Sequence, residues 1–72
     1  MKVTINGEFK TIEHSEKEFS LEDLIKHFGY QPQLVVVELN GVIINSKDWI
    51  NTKINNGDCL EVVTIVGGGS YS

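Results

Sequence analysis

The sequence predicts an α+β domain, a mixed sheet of about five strands with one helix packed across one face. Three observations lead there. Val and Ile each occur eight times in 72 residues, a composition that favours strands. Helix signals gather in one place, between Ser20 and Gly29. Asn-Gly pairs at 6–7, 40–41 and 56–57 punctuate the rest of the chain as turns.

Taken in order, Lys2–Asn6 alternates polar and apolar residues and reads as the first strand. Asn6-Gly7 turns it into a second, Glu8–Glu13. A two-residue turn would set Ile5 against Glu8 and Val3 against Lys10, mixing the two faces. A three-residue bulged loop instead places Val3 and Ile5 on the face of Phe9 and Thr11, and burial of one face favours that register. For the helix, Ser20 is the N-cap, with Asp23 three residues on as a capping-box partner. Phe19 and Leu24 can form a hydrophobic staple, and Leu21, Leu24, Ile25 and Phe28 make one apolar stripe. Gly29 ends the helix and Pro32 prevents its continuation.

Leu34–Asn40 is the third strand, Asn40-Gly41 its turn and Val42–Asn45 the return strand. Here a two-residue register works: Leu39 faces Val42, Val37 faces Ile44, and Glu38 shares the opposite face with Ile43. Ser46–Ile50 suits one helical turn, with Trp49 and Ile50 covering the open end of the core. The turn cluster Asn55-Asn56-Gly57-Asp58 launches the last strand, Cys59–Val66, which runs into Gly67-Gly68-Gly69. The helix covers one face, and the first and last strands lie parallel in the middle of the sheet, joined by the crossover. That order is the β-grasp, or ubiquitin-like, arrangement: a domain over residues 1–66 and a flexible glycine-rich tail over 67–72.

Composition removes several functions. A chain this short buries only about 60% of the surface its unfolded form exposes, so stability is scarce. Ten Asp and Glu against six Lys, with no Arg, give a net charge of −4. Without guanidinium forks for phosphate, DNA or RNA binding is not expected. Cys59 is the single cysteine, so no disulfide forms within the chain, in keeping with the reducing cytoplasm. The longest aliphatic run, Leu34–Val37, falls far short of the roughly 20 residues that span a bilayer. The chain reads as soluble, off the membrane and monomeric when free.

Catalytic signals are sparse. His14 and His27 are the only histidines, and His27, in the helix's last turn, suits the helix dipole. Cys59 reads as a small buried hydrophobe, with no evident His or Lys to activate it. Glu8, Glu13, Glu16, Glu18, Glu22 and Asp23 look like a solvated acidic face. No phosphate-binding glycine loop is present. The chain is therefore expected not to be an enzyme, and to hold neither a cofactor nor a metal.

The tail carries more information. It is either a flexible linker or a reactive terminus. Glycine can thread a narrow channel and present an unhindered carboxylate, and three extended residues span about 10 Å. With Glu61 facing solvent, alternation puts Val63 and Ile65 on the same outward face, while Leu60, Val62 and Val66 fill the core. Glu38 outward likewise implies Val36 outward. A Val36–Val63–Ile65 patch leading to the tail suits docking of a partner, unless a further layer or loop covers it.

Together these residues resemble a known family. The strand Val35–Leu39 before Asn40-Gly41, Trp49 after Ser46-Lys47-Asp48, the Asn56-Gly57-Asp58 turn and the ending Val66-Gly67-Gly68-Gly69 are similar to those of the ThiS-like sulfur carriers of thiamine biosynthesis, within the β-grasp superfamily. The resemblance implies that a ThiF-like adenylating enzyme activates the terminal glycine with ATP, which that partner consumes. A persulfide sulfur donor then supplies the sulfur of a thiocarboxylate, which is delivered to thiazole synthase. Gly68 and Gly69 are the residues carried over, with Gly69 as the acyl carrier. Family members usually stop at the glycines, whereas here Ser70-Tyr71-Ser72 follow and hold the Gly69 carboxyl in a peptide bond. Either those residues are trimmed, or they are foreign to the natural chain, or this homologue acts differently. Two other readings share the fold: a sulfur carrier for molybdopterin synthesis, whose members tend to be longer, and a ubiquitin-like modifier or interaction domain whose tail needs processing.

Overall fold

The computed structural model describes residues 1–13 and 18–65. Five strands, β1 (Lys2–Ile5), β2 (Glu8–Thr11), β3 (Val35–Leu39), β4 (Val42–Ile44) and β5 (Cys59–Thr64), form one sheet in the order β2-β1-β5-β3-β4. β1 and β5 run parallel, and the other neighbours are antiparallel. One helix, α1 (Leu21–His27), packs on the sheet, and short 3₁₀ helices span Pro32–Leu34 and Ser46–Asn51. This is the β-grasp arrangement. The expected strands are trimmed at their ends: Leu34 belongs to a 3₁₀ turn, and β2 stops at Thr11. Val66, assigned to the core from sequence, lies outside the described residues, as does the tail 67–72.

Local chemistry accounts for α1. The Ser20 hydroxyl accepts from the Asp23 N–H at 3.0 Å, and the Asp23 carboxylate accepts from the Ser20 N–H at 3.0 Å, a complete capping box. At the other end Gly29, at φ 79°, donates to Lys26 and Tyr30 donates to Ile25. That pair of bonds satisfies carbonyls the helix leaves open, and its left-handed residue is the one the sequence assigned to glycine. Leu21, Leu24 and Ile25 are wholly buried against Val3, Ile5, Val35, Val37, Leu60 and Val62 of the sheet's inner face. Among the described residues no polar or charged residue is buried.

The core is closed at its end by Trp49, whose indole N–H donates to the Ile44 carbonyl at 3.0 Å. Its neighbour Ile50 is exposed, contrary to the expectation that both cover the core. Adjacent residues of a single 3₁₀ turn project in different directions, so one enters and one leaves. Two backbone bonds, Leu21 N–H to Thr52 and Ile54 N–H to Phe19, tie the helix entry to the segment after this turn.

The first hairpin corrects the sequence reading. Asn6 at φ 54° and Gly7 at φ 83° make a two-residue turn, and the register is Val3 to Lys10, Thr4 to Phe9 and Ile5 to Glu8. Positive φ at both central residues is the geometry whose twist matches the flanking strands, and it overrides the apolar preference of an edge strand. Phe9 therefore lies on the face away from the helix, 88% exposed. Glu8 and Lys10 take the helix side and pair with each other at 3.3 Å. The next residue on that side, Ile12, is buried. The second hairpin has the register expected of it: Leu39 to Val42, Glu38 to Ile43, Val37 to Ile44.

Because Leu24 has no exposed surface in an apolar core, Leu24→Ala should lower unfolding free energy by about 2–5 kcal/mol. Urea unfolding followed by tryptophan fluorescence would measure it. A loss below about 1 kcal/mol would mean the helix–sheet core is not the main source of stability.

Candidate functional site

The site is built on β5, the central strand, which leads in sequence to the glycines. Two turn asparagines grip it. On the β1 side, Asn6 donates its backbone N–H to Leu60 at 2.9 Å. Its side chain then continues the ladder: Oδ1 accepts from the Val62 N–H at 2.8 Å and Nδ2 donates to the Val62 carbonyl at 3.1 Å. On the β3 side, Asn40 Oδ1 accepts from the Cys59 N–H at 3.0 Å, and the Asn40 N–H donates to the Cys59 carbonyl at 2.7 Å. Asn40 Nδ2 also donates to the Asp58 carboxylate at 3.1 Å. Sequence reasoning used these residues only as turn formers. The available signal was the choice of Asn, since Asp-Gly or Gly-Gly would also turn the chain, but only an amide offers both a donor and an acceptor.

On the helix-free face, Val36 stands directly opposite Val63. Val63 is 60% exposed, Val36 38% and Ile65 44%. The Ile65 N–H donates to the Leu34 carbonyl at 2.6 Å, so the 3₁₀ turn that enters β3 holds the chain to its last described residue, and Leu34 is exposed beside it. One step back along the sheet lies a row of Glu61, Glu38 and Ile43, each opposite the next, with Ile43 exposed. The structure thus brings Val36 and Val63 together and sets Ile65 one residue past the end of β5. Gly68 and Gly69 lie outside the described residues.

Cys59 is exposed, not buried as expected. Leu60 faces the core, so strand alternation turns Cys59 outward, on the same face as Thr4. Register outweighs the preference of a small thiol for the interior. His27 is exposed in the last turn of α1, with its ring edge-on to Phe28 at 4.8 Å. His14 and Glu16 lie outside the described residues. Among the described residues no three His, Cys, Asp or Glu side chains are grouped so as to hold a metal ion. A shallow open cleft of about 170 Å³, lined in part by Phe19, Ile50 and Lys53, shares no residue with the helix-free face. No helix of the described residues is long and apolar enough to cross a membrane.

A β-grasp sheet whose central strand runs on into Gly-Gly-Gly defines a class of small tail-bearing domains. Within that class, the profile of the ThiS family matches residues 3–69, and the chain belongs to the ThiS family. It is 46% identical over 50 residues to the uncharacterised protein ycf40 of Trieres chinensis, covering 69% of this chain and 68% of that protein. It is 36% identical over 70 residues to the thiazole synthase of Paramagnetospirillum magneticum (strain ATCC 700264 / AMB-1), covering 97% of this chain but only 21% of that enzyme's length. The crystal structure of the thiamine biosynthesis protein ThiS from Geobacter metallireducens matches with a TM-score of 0.80 at 30% identity, over 96% of this chain and all of that one.

The Asn6 amide predicts a local phenotype. Asn6→Asp keeps a residue that tolerates positive φ but sets a carboxylate oxygen against the Val62 carbonyl. Stability should fall by about 1–2 kcal/mol. Amide exchange at Val62 should accelerate more than at Leu24 or Ile25. Unchanged protection at Val62 would remove the side chain from any role in holding β5.

Proposed function

We propose that this chain is a sulfur carrier of thiamine biosynthesis whose reactive group is the carboxyl of Gly69. The observation that carries the reading is the family match, which runs to Gly69 on a fold whose central strand leads to that residue. Two relatives named thiazole synthase, 36% and 31% identical, each contain a stretch similar to nearly the whole chain, which fits a carrier that meets that enzyme. The carrier is a substrate of other enzymes and performs no catalysis itself.

A carboxylate resists nucleophiles until its oxygen is made a leaving group. A ThiF-like adenylating enzyme would do this with ATP, forming an acyl-adenylate at Gly69 and releasing pyrophosphate. The outer sulfur of a persulfide donor then attacks the carbonyl and AMP leaves. A second thiol takes the inner sulfur as a disulfide, freeing the thiocarboxylate for transfer to thiazole synthase. Sulfur rides on Gly69 and not on Cys59. Glycine at 68 and 69 leaves the carbonyl unhindered and lets the tail enter a narrow channel. Val36, Val63 and Ile65 form the docking face, placed where the chain leaves β5. No cofactor is held by the carrier, since ATP binds the partner. The chemistry requires a free Gly69 carboxyl, so residues 70–72 must be absent or removed, and ATP-dependent activation suits the reducing cytoplasm.

Incubating a chain that ends at Gly69 with the activating enzyme, ATP, a persulfide donor and a thiol reductant should increase its intact mass by the difference between sulfur and oxygen. The chain through Ser72 should show no gain unless it is trimmed. Conjugation to lysines of other proteins without that gain would contradict the reading and favour a ubiquitin-like modifier. Val63→Asp should raise the KM for adenylation by about tenfold or more while the fold is retained. Normal adenylation of that variant would exclude the Val36–Val63–Ile65 face as the dock.

A further inference from the structure

The strand register sets Glu38 directly across from Glu61 on the helix-free face. The bonds Asn40 N–H to Cys59 and Ile65 N–H to Leu34 mark alternate residues of β5 as those bonded to β3, and Glu61 is one of them. The two glutamates therefore form a hydrogen-bonded pair, with Cα atoms about 5.5 Å apart. Like charges placed directly opposite each other destabilise a sheet. Among the described residues no cation offsets them, because the ion pairs fall at Lys10–Glu8 and Lys26–Glu22.

This like-charged pair is bordered by apolar surface on two sides, with Asn40 and Cys59 beyond it at the other end. Val36 and Val63 form the next outward row along β3 and β5, and Ile43 flanks Glu38 on β4. Two carboxylates bordered by exposed aliphatic side chains complement one kind of group well, an arginine. Its planar guanidinium can bridge both carboxylates while its stem lies on the valines. We infer that Glu38 and Glu61 are specificity determinants of the docking face, and together receive an arginine on the surface of the ATP-dependent activating enzyme. The inference rests on the carrier reading above and adds to it the charge that selects the partner.

Glu38→Gln, Glu61→Gln and the double variant, each in the chain ending at Gly69, test it by steady-state pyrophosphate release with the activating enzyme. The double variant should raise KM about tenfold with kcat unchanged, the signature of lost uniform binding. The wild-type KM should rise between about 50 and about 300 mM salt and that of the double variant should stay nearly flat. Its unfolding midpoint should hold or rise, because the repulsion is gone. Glu61→Lys separates the fold from the dock: it should pair with Glu38 and raise the midpoint, yet impair KM further. An unchanged KM in the double variant overturns the inference and leaves the carrier reading standing. A raised KM accompanied by a lowered midpoint also overturns it, by assigning the pair to the fold. Wild type that the activating enzyme does not adenylate overturns the carrier reading, and the inference with it.

Discussion

β5 lies between β1 on one side and β3 on the other, and the pairing on both sides decides where everything else falls. The parallel pairing with β1 requires a crossover, which α1 supplies, and that crossover covers the inner face. The antiparallel pairing with β3 sets Val36 against Val63 and Glu38 against Glu61. Where β1 ends, the Asn6 side chain takes over and bonds both backbone groups of Val62, and at the other end Asn40 bonds both those of Cys59. An amide side chain imitates a peptide group, so Asn6 lengthens β1 by one residue without adding backbone, while Asn40 combines its own N–H with its side-chain oxygen. In a domain with little core to spare, these side-chain bonds hold the central strand at both ends.

The helix was legible because its determinants are local. Ser20, Asp23 and Gly29 act over three or four residues, and the bonds they make are those their chemistry predicts. The second hairpin was legible because two independent rules agreed, the Asn-Gly turn and the apolar pairing of Val37 with Ile44 and Leu39 with Val42. In the first hairpin those rules conflicted. Burial of Phe9 favours one register and the turn another; β2 is an edge strand with little to bury, and the backbone geometry at Asn6 and Gly7 prevails. For Cys59 residue type points inward while alternation from buried Leu60 points outward, and alternation decides. The amide grips were not legible, since Asn6 and Val62 are separated by 56 positions and meet only through the sheet topology.

The helix-free face carries the residues to which the proposed function assigns docking. Alternation from Glu61 identifies its outward residues in the sequence, and the sheet assembles them into one surface with apolar Val36 and Val63 beside two opposed carboxylates. Neither feature favours an isolated domain, because exposed aliphatic surface and facing like charges both oppose stability. Both become favourable against a partner that is apolar with a cation set into it. The same strand leads in sequence to the glycines, so on the proposed carrier reading a partner seated on this face binds the strand that precedes Gly69.

Growth without thiamine reads out whether Gly69 carries sulfur for thiazole formation. A bacterium lacking its own carrier would be supplied with this chain ending at Gly69, or with one ending at Val66. The first should restore growth on thiamine-free medium and the second should not. Growth with the Val66-ending chain, or none with a folded Gly69-ending chain that the host's activating enzyme adenylates, would contradict that role for Gly69.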